Sequence, residues 1–210
     1  MRLILDIGSG RSLPDAPTAI KLIDEVIKRD SWKHTVIFKC QLFESAPPNV
    51  PLDEEVFVAA FHHAKNEGYH LTSSVFDENS LRFLLAFDYP EWPLPFIKIA
   101  CRPDLYWLIG EIPRRIPVYV SHAEPPPDCY EQAKNAITLM CVRKYPSEIS
   151  DYQALGWTWA NGISDHTVGW DMLKKYKPAI LEKHIVLERD IHNPDSGAFA
   201  ILPEDLEEIL

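Results

Sequence analysis

Eight short apolar runs, each typical of a β-strand, alternate along the chain with segments of helical periodicity. This alternation predicts parallel strand pairing, because each return crossover between parallel strands needs a helix. Eight such units fit a closed (β/α)8 TIM barrel, an α/β fold. The predicted strands are Leu3–Ile7, Thr35–Lys39, Tyr69–Ser73, Phe96–Ala100, Val118–Ser121, Ile137–Cys141, Gly162–Ser164 and Ala179–Lys183.

The segments between the strands complete the units. An open doubly wound sheet is the alternative fold, but its usual glycine-rich phosphate loop is reduced here to Gly8-Ser9-Gly10. We therefore expect residues 1–210 to form one compact barrel domain, with a last helix that begins at Pro203. The other predicted helices are Ala19–Lys28, Asp53–Asn66, Glu78–Phe87 and Asp128–Lys134.

Composition narrows the functional classes. The formal charge of −10 argues against a nucleic-acid groove or an anionic membrane surface, although one or two local cations would still bind an anionic substrate. The apolar start of the chain is too short for a signal peptide or a membrane span. The cysteines lie far apart with no Cys-x-x-Cys pair, which predicts no disulfide framework and a cytoplasmic location: Cys40, Cys101, Cys129 and Cys141.

Polar residues end nearly every predicted strand. In a parallel barrel the carboxyl ends of the strands form one mouth, where the chemistry of such folds takes place. Polar ends at so many strands exceed what capping requires, so they predict a site. They are Asp6, Lys39 with Gln41, Ser73 with Ser74, Lys98 with Cys101, Ser121 with His122, Arg143, Ser164 with His166, and Glu182 with His184.

Two histidines end consecutive strands. His166 and His184 are expected to be neighbours at the rim, where neutral imidazoles can hold a divalent ion. Two ligands alone bind weakly, so Mn²⁺ or Mg²⁺ completed by substrate oxygens is favoured over a structural zinc. Spacing alone fits two hydrogen-bonded rim histidines without a metal slightly better. Four further histidines lie in helical or pre-strand positions and are read as ordinary residues: His34, His62, His63 and His70.

Cations and hydroxyls at successive strand ends could bind a phosphate or carboxylate. The alternative, equally weighted, is that Lys98 extends along apolar surface and Arg143 pairs with an acid such as Glu148. The candidate anion ligands are Lys98, Arg143, Ser74, Ser121 and Ser164.

Three acidic residues form a third group, which could orient a metal or act as a general base. Two of them, Asp6 and Glu182, end predicted strands. The third, Asp195, lies in Asn193-Pro194-Asp195-Ser196-Gly197, where an ordinary turn residue is the simpler interpretation.

In this order, the motifs resemble those of the sialic acid synthase family, the synthases that use phosphoenolpyruvate (PEP) to make N-acetylneuraminate and related sugars. Gly162-Ile163-Ser164-Asp165-His166-Thr167-Val168-Gly169 is similar to the family's G-[LIF]-S-D-H-T-x-G motif. The segment 181–195, with Glu182-Lys183-His184 and Asn193-Pro194-Asp195, is similar to E-K-H-F-T-x-D-R…G-P-D. Weaker similarities lie at Leu5–Gly8, Phe38–Gln41, Ser73–Asp77, Ile97–Cys101 and Cys141–Pro146.

The resemblance implies a metal-dependent enzyme that adds C3 of PEP to the aldehyde of an N-acetylhexosamine and releases phosphate. It implies that His166 and His184 hold the metal and that Glu182 and Asp195 serve the acceptor. Asp6 and Lys39 complete the implied catalytic set. The implied PEP ligands are Lys98, Ser121, Ser164 and Ser74, with Cys101 and Arg143 at positions where the family has Ser and Asn.

Departures from the family pattern leave other functions open. Asp6 replaces a Glu, Gly10-Arg11 replaces an Asn-His pair, and the C-terminal antifreeze-like domain is expected to be absent from this chain. An aldolase or lyase acting on a small keto acid or a phosphorylated substrate is one alternative. A non-catalytic barrel that binds an anion, as a homodimer or with a partner that supplies the cap, is the other.

Overall fold

The computed structural model describes residues 1–30, 36–42, 49–124, 136–156 and 160–209. Within these residues, eight parallel strands pair in chain order and close into a barrel, so the TIM-barrel prediction is confirmed and the open sheet is wrong. The strands are β1 Arg2–Gly8, β2 Val36–Leu42, β3 His70–Val75, β4 Ile97–Ile99, β5 Val118–His122, β6 Ala136–Cys141, β7 Gly162–Asp165 and β8 Ile180–His184.

Helices cover the outside of the barrel. Three of them lie where the periodicity predicts: α1 (Ala16–Ile27), α2 (Glu54–Asn66) and α3 (Glu78–Leu85). Each begins after an aspartate whose carboxylate accepts a backbone N–H of the first turn, the usual capping arrangement. The sequence did not predict α4 (Ile149–Leu155) or α5 (Asp171–Tyr176), which have only two turns or fewer.

Two segments that follow strands are 3₁₀ helices; the sequence predicts a helix at the second of them and none at the first. Pro103–Glu111 forms a 3₁₀ helix after β4, and Pro203–Glu208 is also 3₁₀ rather than α-helical. The predicted helix Asp128–Lys134 lies outside the described residues. Among the described helices, none is both long and apolar enough to cross a bilayer.

Side chains alternate between the two faces of each strand. Those that point outward pack against the helices and form the main core. Those that point inward form two layers, because on several strands an apolar residue is followed two positions later by a polar one, as with Ile4 and Asp6 on β1 and Ile37 and Lys39 on β2. The lower layer is a separate apolar cluster of Ile4, Ile37, Phe96, Tyr119 and Leu139.

The upper layer of the interior is polar and buried. Close contacts between opposite strands show that its side chains meet inside the barrel: Lys98 of β4 lies 3.5 Å from Glu182 of β8. We use "upper layer" for Asp6, Lys39, Ser74, Lys98, Ser121, Ser164 and Glu182, all of which are less than 5% exposed.

Candidate functional site

Lys39 connects three strands of the upper layer. Its Nζ lies 2.6 Å from Asp6 Oδ2 and donates to Ser74 Oγ at 2.9 Å. The same ammonium group is 3.8 Å from Glu182 Oε1. A cation buried in this way balances two carboxylates that would otherwise lose their hydration without compensation.

Lys98 repeats this arrangement on the other side of Glu182. Its Nζ is 3.5 Å from Glu182 Oε1 and donates to Ser121 Oγ at 2.8 Å. Ser164 Oγ donates to the same Glu182 oxygen at 3.0 Å. The second oxygen, Glu182 Oε2, is buried and has no hydrogen-bond partner among the described residues. A buried carboxylate oxygen of this kind can accept a hydrogen bond from water or from a bound molecule.

The charges in this network favour the ionised forms. Burial opposes the charge on Asp6, but Lys39 and His184 outweigh it and lower the pKa of Asp6 to about 2. Burial also acts against the charge on Glu182, yet Lys39 and Lys98 lower its pKa. The pKa of Lys39 is raised: burial lowers it, and Asp6 and Glu182 more than offset that effect.

His166 and His184 face one another at the mouth, with ring centroids 5.6 Å apart. His166 Nδ1 lies 2.7 Å from the carbonyl oxygen of Val142, an arrangement that makes Nδ1 the protonated nitrogen and leaves Nε2 with a lone pair. Burial, followed by the neighbouring His184, lowers the pKa of His166 well below its usual value, so its ring is neutral.

The second ring borders the acidic network. His184 Nε2 is 3.7 Å from Asp6 Oδ2, and its Nδ1 is buried with no hydrogen-bond partner in the described part of the chain. Phe199 packs on this ring at 5.1 Å between centroids. Imidazole nitrogens are common ligands of divalent ions, so this pair of facing rings fits one.

The protein itself supplies few ligands for such an ion. Within the described residues, no cluster of three or more His, Cys, Asp and Glu side chains could hold a metal. The arrangement therefore matches only a site that is completed by water or substrate oxygens.

Asp195 joins the network through Gln41, one of the predicted strand-end residues, and through Ser9, which the sequence did not single out. Gln41 Nε2 donates to Asp6 Oδ2 at 3.1 Å and to Asp195 Oδ1 at 3.0 Å. Ser9 donates to Asp195 Oδ2 from both its backbone N–H and its hydroxyl. Asp195 is therefore more than the turn residue that its local sequence suggests. One indication of the position of Gln41 was available from the sequence: it lies two residues after Lys39, so both side chains point to the same face of the strand.

Arg143 and Cys101 form a pair of their own. Arg143 Nε donates to Cys101 Sγ at 3.3 Å, so the structure does not show the alternative in which Arg143 pairs with an acid such as Glu148. Glu148 instead lies 3.8 Å from the neighbouring Lys144. No contact joins the pair to the charged network within the described residues, although Lys98 exerts an electrostatic effect on Cys101.

Two residues of the most specific motifs point away from the mouth. Asp165 and Lys183 form an ion pair of 2.9 Å on the outer side of β7 and β8, and both side chains are fully buried. Asp165 Oδ1 also accepts from the backbone and hydroxyl of Thr167. These contacts fix the strand ends that carry His166 and His184, so the pair has a structural role.

The fold and this mouth define a class: closed parallel α/β barrels with a buried, charged interior at the carboxyl ends of the strands. No model of a protein family matches the chain, and no curated protein sequence matches it. Solved structures do. The N-acetylneuraminic acid (sialic acid) synthetase of Leptospira borgpetersenii, in complex with citrate, has a TM-score of 0.75 and 17% identity, over 98% of this chain and 80% of that one.

Two further structures show the same barrel. A spore coat polysaccharide biosynthesis protein of Bacillus subtilis has a TM-score of 0.74 and 18% identity, over 99% of this chain and 65% of that one. The phospho-2-dehydro-3-deoxyheptonate aldolase (DAHP synthase) of Thermotoga maritima has a TM-score of 0.70 and 10% identity, over 99% of this chain and 66% of that one. At these identities the likeness shows a shared fold, which supports the resemblance noted in the sequence at that level.

Proposed function

We propose that this chain is a metal-dependent synthase that condenses PEP with an aldehyde or an N-acetylhexosamine and releases phosphate. The observation that carries the proposal is the union, in one buried mouth, of two facing imidazoles with two lysines that flank a carboxylate. The names of two structural neighbours, a sialic acid synthetase and a DAHP synthase, support it. We propose residues 1–210 as a single catalytic domain.

His166 and His184 would hold the ion through ring nitrogens that have no hydrogen-bond partner among the described residues. A bound Mn²⁺ or Mg²⁺ would supply Lewis-acid polarisation of the acceptor's aldehyde oxygen. Both imidazoles are oriented by neighbouring groups, the carbonyl of Val142 and the carboxylate of Asp6.

The upper layer would bind PEP. An ammonium group and short hydroxyl donors match the carboxylate and phosphate oxygens of this anion. Lys98 Nζ already donates a hydrogen bond to Ser121 Oγ, and Arg143 is an exposed residue that follows β6. The proposed PEP ligands are Lys98, Ser74, Ser121, Ser164, Arg143 and Cys101.

In the reaction, C3 of PEP bonds to the aldehyde carbon, and water adds to C2. The C2–O bond to phosphate then breaks, so phosphate leaves and the oxygen of water becomes the new keto oxygen. Glu182 is the best-placed base for this water, because it is ionised and its Oε2 has no partner among the described residues. It would pass this proton to the aldehyde oxygen, which becomes a hydroxyl group, and the second proton of the water would leave with the phosphate as the keto group forms.

Asp6 and Asp195 have different proposed roles. Both oxygens of Asp6 already accept hydrogen bonds, from Gly8 on one side and from Lys39 and Gln41 on the other. Asp6 therefore orients Lys39 and His184 rather than accepting a proton. Asp195 would bind the acceptor by exchanging its contact with Gln41 for a hydroxyl group of the sugar.

A Schiff-base aldolase fits this mouth less well. That mechanism needs a lysine that is neutral near pH 7. Lys39 is the central lysine of the interior, and its pKa is raised rather than lowered.

The proposal is tested by phosphate release from PEP with Mn²⁺ and a panel of N-acetylhexosamines and simple aldehydes. We expect turnover with at least one acceptor, and a loss of at least about 100-fold in His184→Ala. His62→Ala, which changes an exposed histidine on α2, is the matched control and should retain full activity. Pyruvate released from a keto acid, with no phosphate released from PEP, would assign the chain to the aldolases instead.

A further inference from the structure

The side chain of Tyr152 contacts the backbone at the end of β7. Tyr152 belongs to the short helix α4 and is fully buried. Its hydroxyl group donates to the backbone carbonyl oxygen of Ser164 at 2.7 Å and accepts the backbone N–H of His166 at 2.9 Å. Tyr152 lies outside the proposed set of ligands, yet one hydroxyl group bonds to the chain on both sides of Asp165, where it leads into a candidate metal ligand.

This hydroxyl group takes the place of a strand residue. The pairing of β6 with β7 ends at Cys141 and Ser164. In a parallel ladder, a residue that faces position i bonds to the carbonyl group of residue i−1 and to the N–H of residue i+1 on the neighbouring strand. The Tyr152 hydroxyl makes both of these bonds around Asp165. It therefore continues the ladder of β7 beyond the end of β6.

The hydroxyl group stays protonated, as this double role requires. Burial, followed by the charge of Asp165, raises the pKa of Tyr152 well above its ordinary value. A protonated phenol has one donor and free lone pairs, which match one carbonyl oxygen and one N–H. A phenylalanine of nearly the same volume would fill the space but would leave both buried backbone groups without this partner.

The segment 142–152 holds His166 at three places. The backbone N–H of His166 donates to Tyr152, and its backbone carbonyl oxygen accepts the N–H of Ser147 at 2.8 Å. Its ring Nδ1 lies 2.7 Å from the carbonyl oxygen of Val142. The backbone contacts fix the position of Cα, and the ring contact fixes the rotation of the imidazole. A side chain held in this way loses little freedom when it binds an ion.

From this geometry we propose that Tyr152 is a positioning residue for His166. Its hydroxyl group holds the backbone so that the imidazole faces His184, at 5.6 Å between ring centroids, and thereby raises the affinity of the two rings for a divalent ion. The effect on the ion rests on the proposed function, whereas the fixed position of His166 does not. Groups that orient metal ligands contribute about 10- to 100-fold to metal affinity, and Tyr152 acts only through the backbone, so we expect the lower end of this range.

The first test is Mn²⁺ binding to the folded chain, followed by the electron paramagnetic resonance of the free ion. We expect the dissociation constant to rise about tenfold in Tyr152→Phe. Tyr119→Phe is the matched control, because Tyr119 is also fully buried and its hydroxyl group also accepts a hydrogen bond, from Arg2 at the lower layer. This control should bind Mn²⁺ as the wild type does. Equal affinities in all three proteins would overturn the proposal.

The second test needs no metal ion. Amide hydrogen exchange measured by NMR reports on the His166 N–H directly, with Ile163, which pairs with both neighbouring strands, as the internal reference. In the wild type we expect His166 to be protected like Ile163, and in Tyr152→Phe to exchange at least about tenfold faster relative to it. Fast exchange of His166 in the wild type, or unchanged protection in the folded variant, would show that the hydroxyl group does not hold this residue.

The two tests separate this inference from the proposed function. Mn²⁺ binding that is lost in His184→Ala but unchanged in Tyr152→Phe would overturn the inference and leave the metal site in place. If the wild type bound no Mn²⁺, the proposed metal site would be wrong, and the exchange of the His166 amide would still decide whether Tyr152 positions this residue.

Discussion

The lower and upper layers of the barrel interior lie on the same strands, two residues apart, yet their chemistry is opposite. Ile4 precedes Asp6 on β1, Ile37 precedes Lys39 on β2, and Tyr119 precedes Ser121 on β5. A strand places residues i and i+2 on the same face, so both layers are equally enclosed. The difference lies in what each layer gains from enclosure.

The lower layer gains stability from packing alone. Phe96 stacks on Tyr119 with ring centroids 4.2 Å apart and an angle of 9° between the planes. Each large apolar side chain buried here stabilises the fold by about 2–3 kcal/mol. No group of this layer is charged, so its contribution should depend little on pH.

The upper layer gains little net stability from its ion pairs, because the loss of hydration offsets most of the attraction between buried charges. Its lysines balance Asp6 and Glu182, and one carboxylate oxygen is left without a partner among the described residues. In the proposed function this layer binds the substrate. The comparison therefore contrasts a layer that stabilises the barrel with a layer whose proposed role is binding.

The largest effect should follow Lys39→Met, which keeps the volume of the side chain but removes the charge. Asp6 and Glu182 would lose their shared cation, and we expect the free energy of unfolding at pH 7 to fall by about 3–5 kcal/mol. Part of this loss should be recovered near pH 5, because the carboxylates can then take up a proton. Urea unfolding at both pH values measures this.

Lys21→Met, at an exposed position on α1, is the matched control and should change stability by less than about 0.5 kcal/mol. If Lys39→Met were as stable as this control, the two layers would not differ in the way described.

In the lower layer, Phe96→Ala should reduce the free energy of unfolding by about 3 kcal/mol without abolishing function. The estimate lies at the low end for a buried Phe, since Tyr119 can move into part of the space. Phe83→Ala, at a partly buried position outside the barrel, should lose less. Urea unfolding measures the stabilities, and phosphate release measures the activity. A Phe96→Ala variant that is folded but inactive would contradict this prediction, because the upper layer would then depend on the packing of the lower one.

Much of the barrel could be predicted because its strands are marked by local apolar runs. The lower layer follows from the same runs, since Ile4, Ile37 and Leu139 belong to them. The short helices α4 and α5 could not be predicted in this way, because two turns carry too few apolar positions to show a period. Their formation depends on packing against the barrel, to which buried Tyr152 and Met172 contribute.

The candidate site could likewise be predicted only in part from the sequence. Strand ends placed Asp6, Lys39, Lys98 and Glu182 at one mouth, but which side chains touch depends on barrel closure, which brings β4 opposite β8. The partners of Asp195 lie more than 150 positions away in the chain, so no local pattern indicates them. The roles assigned to these residues remain predictions.

Of the two interior layers, the upper one should be the one whose contribution to stability falls when the pH is lowered. The pKa of Asp6 is lowered to about 2 in the folded state, against an ordinary value near 3.9. A depressed pKa contributes stability that is present above about pH 4 and is lost as the pH falls toward 2. Asp6 should therefore account for about 2 kcal/mol of the acid destabilisation. Asp6→Asn should flatten the stability profile between pH 5 and pH 2 by this amount, whereas Glu67→Gln, an exposed control on the loop after α2, should leave it unchanged.

The smallest effect should come from the polar contact between Arg2 and the lower layer. Arg2 donates a hydrogen bond to the hydroxyl group of Tyr119, and its guanidinium lies 6.0 Å from the centre of that ring. Tyr119→Phe keeps the stack on Phe96, so we expect a loss of only about 1 kcal/mol in urea unfolding. Arg2→Met should give a similar loss, and the double variant should lose no more than either alone if the contact is the cause. A loss above about 3 kcal/mol in Tyr119→Phe would mean that the lower layer also depends on polar interactions, and the contrast between the layers would then be one of degree.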